Sequence, residues 1–334
     1  MLAVRMPPSR ILLCVLFSAT VAVAQQPPIL IDTDAGSDDL MAIAFLLAQP
    51  GVRIEAITVV NGLAHPEAGT RNIARLLELA GRSEIPVFAG RGQPLRGTAE
   101  FPAAWRRTSD ELPGVKLPPL THKVEARPAA DYLIERLRQK NRRVRILALG
   151  PFTNLAEALQ REPSGAGTIS EIVMMGGTLR AAGNLGDGGV FKTANQTAEW
   201  NIFVDPLAAR IVFRAGIPIE MIGLDATNTV PISADFLRQF ESQAHSPLGR
   251  FVAEVLRADR ESIDGGYMYA WDPLAAVALL HPSVVKTARV HVEIRQDPPE
   301  EGRTVEAAGK PNAHVAVQAD RGDFMRVFLD AFAR

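Results

Sequence analysis

The sequence predicts an α/β fold, an open and mostly parallel twisted sheet with helices on both faces. Short apolar runs rich in Ile and Val recur along the chain, amphipathic stretches separate most of them, and each run is closed by Gly, Asn or Asp. Strands that alternate with helices are typical of a parallel sheet covered on both faces. The 334 residues show no internal repeat and no shift in composition. We therefore expect one domain, spanning residues 25–334.

Six apolar runs are predicted strands. In chain order they are PILIDTD from Pro28, VRIEAITVV from Val52, IPVFAG from Ile85, VRILALG from Val144, EIVMMGG from Glu171 and IPIEMIGLD from Ile217. Helices are predicted between them, for example TRNIARLLELAG and AADYLIERLRQK, where apolar residues recur at helical spacing. From Ala288 onward, the chain is expected to complete the sheet with two short strands, RVHVEIRQ and HVAVQAD, and a closing helix.

Two segments break this rhythm, residues 90–127 and residues 178–200. The first is irregular and contains several prolines, and the second is rich in Gly, Asn and Thr. Long irregular loops inside a compact domain are usually functional or disordered. We expect both segments to be loops.

Residues 1–24 are predicted to be a cleaved signal peptide. Arg5 and Arg10 precede an apolar run of about 14 residues, and Ala22-Val23-Ala24 fits a signal-peptidase site. The run is shorter than the ~20 residues of a membrane span, which disfavours an uncleaved anchor. We expect export to the periplasm or the medium, with no membrane association after cleavage.

Charge and cysteine content exclude some partners and metals. The formal net charge is −1, from 36 basic and 37 acidic residues, and loss of Arg5 and Arg10 leaves 34 against 37, or −3. No basic surface for nucleic acid is predicted from this balance. The sole cysteine, Cys14, lies in the predicted signal peptide, and the chain has 6 His. A zinc site is therefore disfavoured.

Polar residues collect where the predicted strands end. They are Asp32 and Asp34 after the first strand, Asn61 after the second, Leu149-Gly150 after the fourth, Met175-Gly176-Gly177 after the fifth and Asp225 after the sixth. In open parallel sheets, ligands bind outside the carboxyl ends of the strands. We expect the functional site there.

The stretch IDTDAGSDD places four carboxylates within eight residues, namely Asp32, Asp34, Asp38 and Asp39. Like charges this close raise one another's pKa unless something offsets them. Asp38 and Asp39 open a predicted helix, whose N-terminus favours negative charge, but Asp34 precedes that helix. A hard cation held by oxygen ligands, Ca²⁺ or Mg²⁺, accounts for the whole cluster.

The segment DTDAGSDD resembles the DxDPGxDD fingerprint of inosine-uridine preferring nucleoside hydrolases. Six further blocks follow in order between Pro28 and Pro282: AITVVNG, TRNIARLLELAG, LALGPFTNLAEAL, IVMMGG, AEWNIFVDPLAA and WDPLAAVALLHP. The resemblance implies a Rossmann-like core and Ca²⁺-dependent hydrolysis of the N-glycosidic bond of ribonucleosides, which yields free base and ribose. It also implies a homodimer or homotetramer.

The resemblance further implies a set of site residues. The Ca²⁺ would be held by Asp34, Asp39, the backbone carbonyl of Leu149 and Asp272, together with a water and the ribose 2′ and 3′ hydroxyls. Asp34 would also be the general base, while Asp32 would orient the loop. The implied ribose-binding residues are Asp38, Asn61, Met175 through its backbone, Asn184, Glu199 and Asn201.

Two of these assignments have alternatives. Asn195 could take the role given to Asn184, because the segment between Asn184 and Glu199 is longer here than in the inosine-uridine type. Glu199 and Asn201 could instead cap the helix predicted near Asp205, but they lie six and four residues upstream of it. We expect that distance to be too long for an N-cap contact.

The residue expected to activate the leaving base differs from that of the inosine-uridine type. Those enzymes usually read HDP where this chain has Trp271-Asp272-Pro273, so the histidine acid is absent. The same change marks a purine-preferring branch, the inosine-adenosine-guanosine type, in which two tryptophans sandwich the base. Trp271 and Trp105 are the candidates here, and purine nucleosides the expected substrates. Ala35 replaces the usual proline of the fingerprint, which we expect to alter only loop stiffness.

Two other classes of function remain open at this point. A Mg²⁺-dependent phosphatase of the haloacid dehalogenase type also begins with DxD after a first strand. However, Lys116, Lys123, Lys140 and Lys192 lie in predicted loops or on a polar helix, where none suits its mechanism. An exported, non-catalytic nucleoside-binding protein is the other alternative, and the intact Asp34, Asp39 and Asp272 argue against it.

Overall fold

A nine-stranded mixed sheet runs through the computed structural model, which describes residues 26–121, 124–186 and 189–333. The predicted signal peptide, residues 1–24, lies outside these ranges. The strands are β1 (Ile29–Thr33), β2 (Ile54–Val59), β3 (Val87–Ala89), β4 (Val144–Ala148), β5 (Ile169–Met175), β6 (Ile219–Ile222), β7 (Val285–Ile294), β8 (Thr304–Ala307) and β9 (Ala313–Ala319). Their spatial order is β3-β2-β1-β4-β5-β6-β9-β7-β8.

The six predicted strands are confirmed, and they pair in parallel from β3 to β6. β9 extends this parallel set beside β6, and β7 pairs antiparallel with both β9 and β8. The C-terminal segment therefore completes the sheet, as predicted. The strand order reverses at β1, which has β2 on one side and β4 on the other. Such a switch point leaves a crevice at the carboxyl ends of the strands, where ligands bind.

Helices cover both faces of the sheet. They are α1 (Ser37–Ala48), α2 (Pro66–Leu79), α3 (Ala103–Glu111), α4 (Ala129–Leu137), α5 (Thr153–Arg161), α6 (Trp200–Val204), α7 (Pro206–Arg214), α8 (Leu224–Thr227), α9 (Ala234–Gln243), α10 (Pro247–Ala258), α11 (Arg260–Asp264), α12 (Trp271–Leu280) and α13 (Arg321–Asp330). One buried core lies under α1, α10, α12 and α13, and a second lies under α4, α5 and α7. This two-sided burial confirms the predicted fold class.

Two helices occur where loops were predicted. α3 lies within residues 90–127 and buries only Arg106 and Ser109, so its sequence carries no apolar periodicity. α6 begins at Trp200, at the end of the second predicted loop, and α7 follows from Pro206. Within the described ranges, no helix is long and apolar enough to cross a membrane.

Candidate active site

Two buried helices bring three carboxylates together at the switch point. Asp38 and Asp39 lie in the first turn of α1, and Asp272 lies in the first turn of α12, which packs against α1. One carboxylate oxygen from each residue lies within 4.8 Å of the others, and all three side chains are buried. The predicted proximity of Asp39 to Asp272 is therefore observed, and Asp38 joins the same cluster.

The loop between β1 and α1 holds these acids in place. The Asp39 carboxylate accepts hydrogen bonds from the Thr33 hydroxyl, from the Asp34 N–H at 3.2 Å and from the Gly36 N–H at 3.0 Å. Asp34 Oδ2 accepts one from the Leu63 N–H at 3.0 Å. Both side chains are thus oriented by backbone groups before any ligand arrives.

Glycine is required on two sides of Asp34. A Cβ added at Gly62 would lie 2.0 Å from Asp34 Oδ2, and one added at Gly150 would lie 2.8 Å from Asp34 Cβ. Neither approach is possible for a residue with a side chain. The backbone that follows β2 and β4 therefore lies in direct contact with the Asp34 side chain.

Ala35 takes a left-handed backbone conformation, with φ 58°. A proline ring holds φ near −65°, so proline cannot occupy this conformation. The expectation that Ala35 alters only loop stiffness is wrong, because its backbone follows a path closed to proline.

Burial and mutual repulsion raise the pKa of four neighbouring aspartates, Asp34, Asp38, Asp39 and Asp272. For each, the loss of hydration on burial is the larger cause and the charge of a neighbouring carboxylate is the second. The pKa rises to about 7 for Asp38 and about 6 for Asp39, and lies well above the ordinary value for Asp34 and Asp272. A cation bound among them would offset this cost.

Asp32 lies beneath the cluster and does not line the cavity. Its carboxylate accepts hydrogen bonds from the Thr58 hydroxyl at 2.7 Å and from Asn154 Nδ2 at 2.9 Å. Burial raises its pKa to about 7. These contacts join β1 to β2 and α5, in keeping with the predicted role of orienting the loop.

A cavity of about 770 Å³ opens above the carboxylates. Its volume falls within the usual range for small-molecule sites. The predicted site residues that line it are Asp34, Asp38, Asp39, Trp105, Leu149, Met175, Asn184, Glu199, Asn201, Trp271 and Asp272. The topology therefore brings eleven of the twelve predicted site residues to one place.

Asn61 is the predicted residue that the cavity lining lacks. Its side-chain oxygen accepts a 2.6 Å hydrogen bond from Arg106 Nη2, on α3. Arg106 is buried and also forms a 2.7 Å ion pair with Glu100. Asn61 thus joins the end of β2 to α3, the helix that carries Trp105.

The structure separates Asn184 from its alternative, Asn195. Asn184 lines the cavity, and its Oδ1 accepts a hydrogen bond from the Trp200 N–H at 3.2 Å. The Asn195 side chain is occupied elsewhere: Oδ1 accepts from the Thr197 and Ala198 N–H groups of its own loop, and Nδ2 donates to the Glu301 carbonyl between β7 and β8. Placement therefore favours Asn184.

Glu199 and Asn201 form hydrogen bonds with the backbone at the carboxyl ends of β4 and β5. Glu199 accepts hydrogen bonds from the Gly177 and Asn201 N–H groups, both at 2.9 Å, and burial raises its pKa to about 7. Asn201 Nδ2 donates to the Leu149 and Met175 carbonyls, both at 3.2 Å. Neither residue caps α7, whose N-cap is Asp205, as expected from their distance. Glu199 instead caps α6, a helix that was not predicted.

Aromatic side chains form the upper part of the cavity. Trp105 contacts the buried Trp200 edge-on, with 5.7 Å between ring centroids, and Trp200 stacks on Phe101 at 4.8 Å. The ring centroids of Trp271 and Tyr269 lie 5.8 Å apart, and Trp271 Nε1 is buried without a hydrogen-bond partner among the described residues. Both predicted base-binding tryptophans thus line the cavity, with Trp200 as a third.

Asp259 is a cavity residue that no sequence motif indicated. It lies between α10 and α11, far along the chain from the DTDAGSDD segment, and lines the same cavity. Burial raises the pKa of its carboxyl group, and a hydrogen bond from Ser37 lowers it. Only the packing of α10 on α1 brings it to the site, so no local pattern could have revealed it.

Comparisons with known proteins agree on one family. The sequence model described as "Inosine-uridine preferring nucleoside hydrolase" matches residues 29–326. "Uridine nucleosidase 1" of Arabidopsis thaliana is 35% identical over 77% of this chain and 74% of its own length. "Pyrimidine-specific ribonucleoside hydrolase RihA" of Enterobacter sp. (strain 638) is 33% identical over 92% of this chain and 98% of its own.

Solved structures give the same likeness. The plant nucleoside hydrolase PpNRh1 superposes with a TM-score of 0.81 at 31% identity, covering 92% of this chain and 99% of its own. The purine-preferring ribonucleoside hydrolase from Gardnerella vaginalis gives 0.79 at 27% identity, with 92% and 98% covered.

Proposed function

This chain belongs to the inosine-uridine preferring nucleoside hydrolase family, and from that premise we propose that it cleaves ribonucleosides, purine nucleosides foremost, in a Ca²⁺-dependent reaction. The products are free base and ribose. One observation carries the proposal: a single cavity joins a floor of buried carboxylates to a wall that holds Trp105 and Trp271. Membership of this family argues against the two alternatives, a phosphatase and a non-catalytic nucleoside-binding protein.

The residues present fit a divalent cation. Carboxylate oxygens of Asp38, Asp39 and Asp272 converge within 4.8 Å in a buried site, and oxygen ligands suit Ca²⁺. Asp34 lies beside them, since its N–H donates a hydrogen bond to the Asp39 carboxylate at 3.2 Å. We assign the ion to Asp34, Asp39, Asp272 and the Leu149 carbonyl, which has a second lone pair beside its bond to Asn201. When bound, such an ion offsets the carboxylate charges and lowers the pKa of an adjacent water.

Asp34 is assigned as the general base. It is buried at the cavity floor, and the Leu63 N–H fixes its Oδ2. Asp34 accepts a proton from the attacking water while the water oxygen bonds to C1′ of the ribose. The C1′–N bond breaks, the base leaves with the bonding electrons and takes up a proton from solvent, and Asp34 returns its proton to solvent.

The remaining polar residues stabilise the sugar as its bond breaks. Glycosidic cleavage passes through an oxocarbenium-like transition state, which carries positive charge. Asp38, Glu199 and Asn184 present oxygen atoms around the cavity floor. Oxygen dipoles and carboxylates fixed in advance favour this charge over the neutral ground state.

Trp105 and Trp271 support the purine preference. Stacking a base on an aromatic side chain contributes ~1–3 kcal/mol, and a purine offers the larger ring face. Pyrimidine nucleosides are the second candidate, because the named relatives with 33–35% identity include a uridine nucleosidase and a pyrimidine-specific hydrolase. The chain differs from the inosine-uridine pattern at Trp271, which is the basis for ranking purines first.

The test is release of free base and ribose from inosine, guanosine, adenosine, uridine and cytidine. We expect purine nucleosides to have the higher kcat/KM. Higher values for uridine and cytidine would retain the hydrolase and overturn the purine preference. No release from any of the five would overturn the proposed activity.

Export and assembly are further proposals. The apolar segment after Arg10 and the Ala22-Val23-Ala24 site support cleavage before Gln25. Mass spectrometry of the exported protein should find Gln25 at the N-terminus, and an intact Met1 would contradict export by this route. The homodimer or homotetramer implied by the family resemblance stays a prediction, which light scattering would check.

A further inference from the structure

Asp259 occupies a fixed position on the cavity wall. Its N–H donates to the Val255 carbonyl at 3.1 Å and its carbonyl accepts from the Ile263 N–H at 3.0 Å, so the backbone is held between α10 and α11. α10 packs against α1, which carries the acidic cluster. The Asp259 charge contributes to the raised pKa of Asp38, which shows that the two carboxylates are near each other.

One oxygen of this carboxylate has no protein partner. A hydrogen bond from Ser37 lowers the pKa of this carboxyl group, whereas Oδ2 is buried and has no hydrogen-bond partner among the described residues. A buried polar atom without a partner is costly, and such atoms in native structures call for an explanation. A ligand that donates a hydrogen bond from within the cavity supplies that partner.

Asp259 belongs to the same stretch of wall as Trp271. The cavity residues contributed by this stretch of chain are Ala258, Asp259, Glu261, Ser262, Gly265, Tyr267, Met268, Trp271 and Asp272. Trp271 is the residue assigned to stack on the base. A base stacked on that ring would lie in the same cavity as Asp259.

We propose that Asp259 determines base specificity by accepting a hydrogen bond from the exocyclic amino group of the base, so that adenosine and cytidine are favoured over inosine and uridine. The inference rests on the proposed function. An ionised carboxylate only accepts hydrogen bonds, and an amino group only donates them here. The ring N–H of hypoxanthine or uracil lies beside a keto oxygen, which the same carboxylate repels.

The test compares Asp259→Asn and Asp259→Ala with the wild-type enzyme on two substrate pairs, adenosine with inosine and cytidine with uridine. An asparagine amide can also donate to a keto oxygen. We therefore expect the amino-to-keto ratio of kcat/KM to fall at least about tenfold in Asp259→Asn, the scale of a hydrogen bond to a charged group. In Asp259→Ala the ratio should also fall, through loss of activity on adenosine and cytidine.

Asp264→Asn is the matched control. Asp264 lies on α11, is exposed, pairs with Arg260 at 2.8 Å and does not line the cavity. The ratio should stay within twofold of wild type in this variant. Calorimetric titration of each variant in the Asp34→Ala background, which removes the assigned general base, measures the preference between adenosine and inosine from binding rather than turnover.

The outcomes separate the two proposals. An active wild-type enzyme whose ratio is unchanged in both Asp259 variants overturns this inference and leaves the hydrolase intact. A uniform loss on all four nucleosides, in step with weaker Ca²⁺ binding, overturns it too, because Asp259 would then support the metal site. A wild-type chain without turnover overturns the proposed activity, and the calorimetric preference still decides the role of Asp259.

Discussion

Asp34 unites the predicted metal and catalytic roles in one side chain. Replacing Asp34 with Ala removes the assigned proton acceptor, and we expect turnover of the best nucleoside to fall ~10²–10⁴-fold or more, as for loss of a general base. The fold should persist, since the change removes a buried charge and opens no large cavity. Steady-state kinetics and thermal melting check both statements. Near-wild-type turnover in a protein that still binds Ca²⁺ would remove Asp34 as the base.

Trp271 tests the source of base preference. In Trp271→Ala we expect kcat/KM on purine nucleosides to fall about tenfold or more, because a stacking contact worth ~1–3 kcal/mol is lost. Calcium affinity should change far less, although Trp271 is adjacent to Asp272. Kinetics on inosine and calorimetric Ca²⁺ titration give the two numbers. Equal losses in both would mean that the ring supports the metal site by packing.

Site residues that belong to sequence motifs could be predicted, whereas residues that reach the cavity through tertiary packing could not. Asp34, Asp39 and Asp272 lie beside strand ends or helix starts, where local pattern and fold class together predict a shared edge. Asp259 and Phe101 reach the cavity only because distant helices and loops pack there. Asn61 was predicted to bind ribose because it follows a strand, but its side-chain oxygen accepts a hydrogen bond from Arg106 instead.

At the level of elements, α3 is positioned by contacts of the buried Arg106 side chain. Arg106 bridges Asn61 and Glu100, and the neighbouring residue on the helix is Trp105. Arg106→Ala leaves the buried Asn61 oxygen without its partner, and we expect a stability loss of about 1–3 kcal/mol together with a lower kcat/KM on purine nucleosides. Denaturant unfolding and inosine kinetics measure the two effects.

Arg107→Ala is the control, because Arg107 is exposed on the same helix. It should leave both stability and kinetics close to wild type. If Arg106→Ala lowers stability without changing kcat/KM, the contact does not position Trp105 for the substrate.

The strands and helices that were predicted have a hydrophobic period, whereas α3 and α6, which were missed, do not. The six strands were identified because they are short apolar runs, and α2 and α4 because they bury one face. α3 buries a charged and a small polar residue, so periodicity could not reveal it. α6 has five residues, too few for a period, and its Glu199 cap was therefore missed.

For the whole molecule, the raised pKa values of the buried acids predict how stability depends on pH without metal. Asp38 and Asp39 have pKa values of about 7 and about 6, above the ordinary 3.8. At any pH between the ordinary value and these raised values, the folded state therefore binds more protons than the unfolded state. Stability then falls as pH rises through that window. We expect the metal-free protein to melt at a lower temperature at pH 7.5 than at pH 5.

Calcium should reverse this trend. An ion that binds only the folded state raises its stability, and the ionised carboxylates at pH 7.5 bind it best. The rise in melting temperature on adding Ca²⁺ should be larger at pH 7.5 than at pH 5, and smaller in Asp272→Asn. A metal-free protein that is more stable at pH 7.5 would show that other groups dominate the pH dependence.

The most direct measurement is turnover of the best ribonucleoside before chelation, after chelation and after Ca²⁺ is restored, with bound metal quantified at each stage. We expect release of base to stop when the metal is removed and to return with stoichiometric Ca²⁺. Turnover that continues in protein shown to be free of metal would rule out Ca²⁺-dependent hydrolysis.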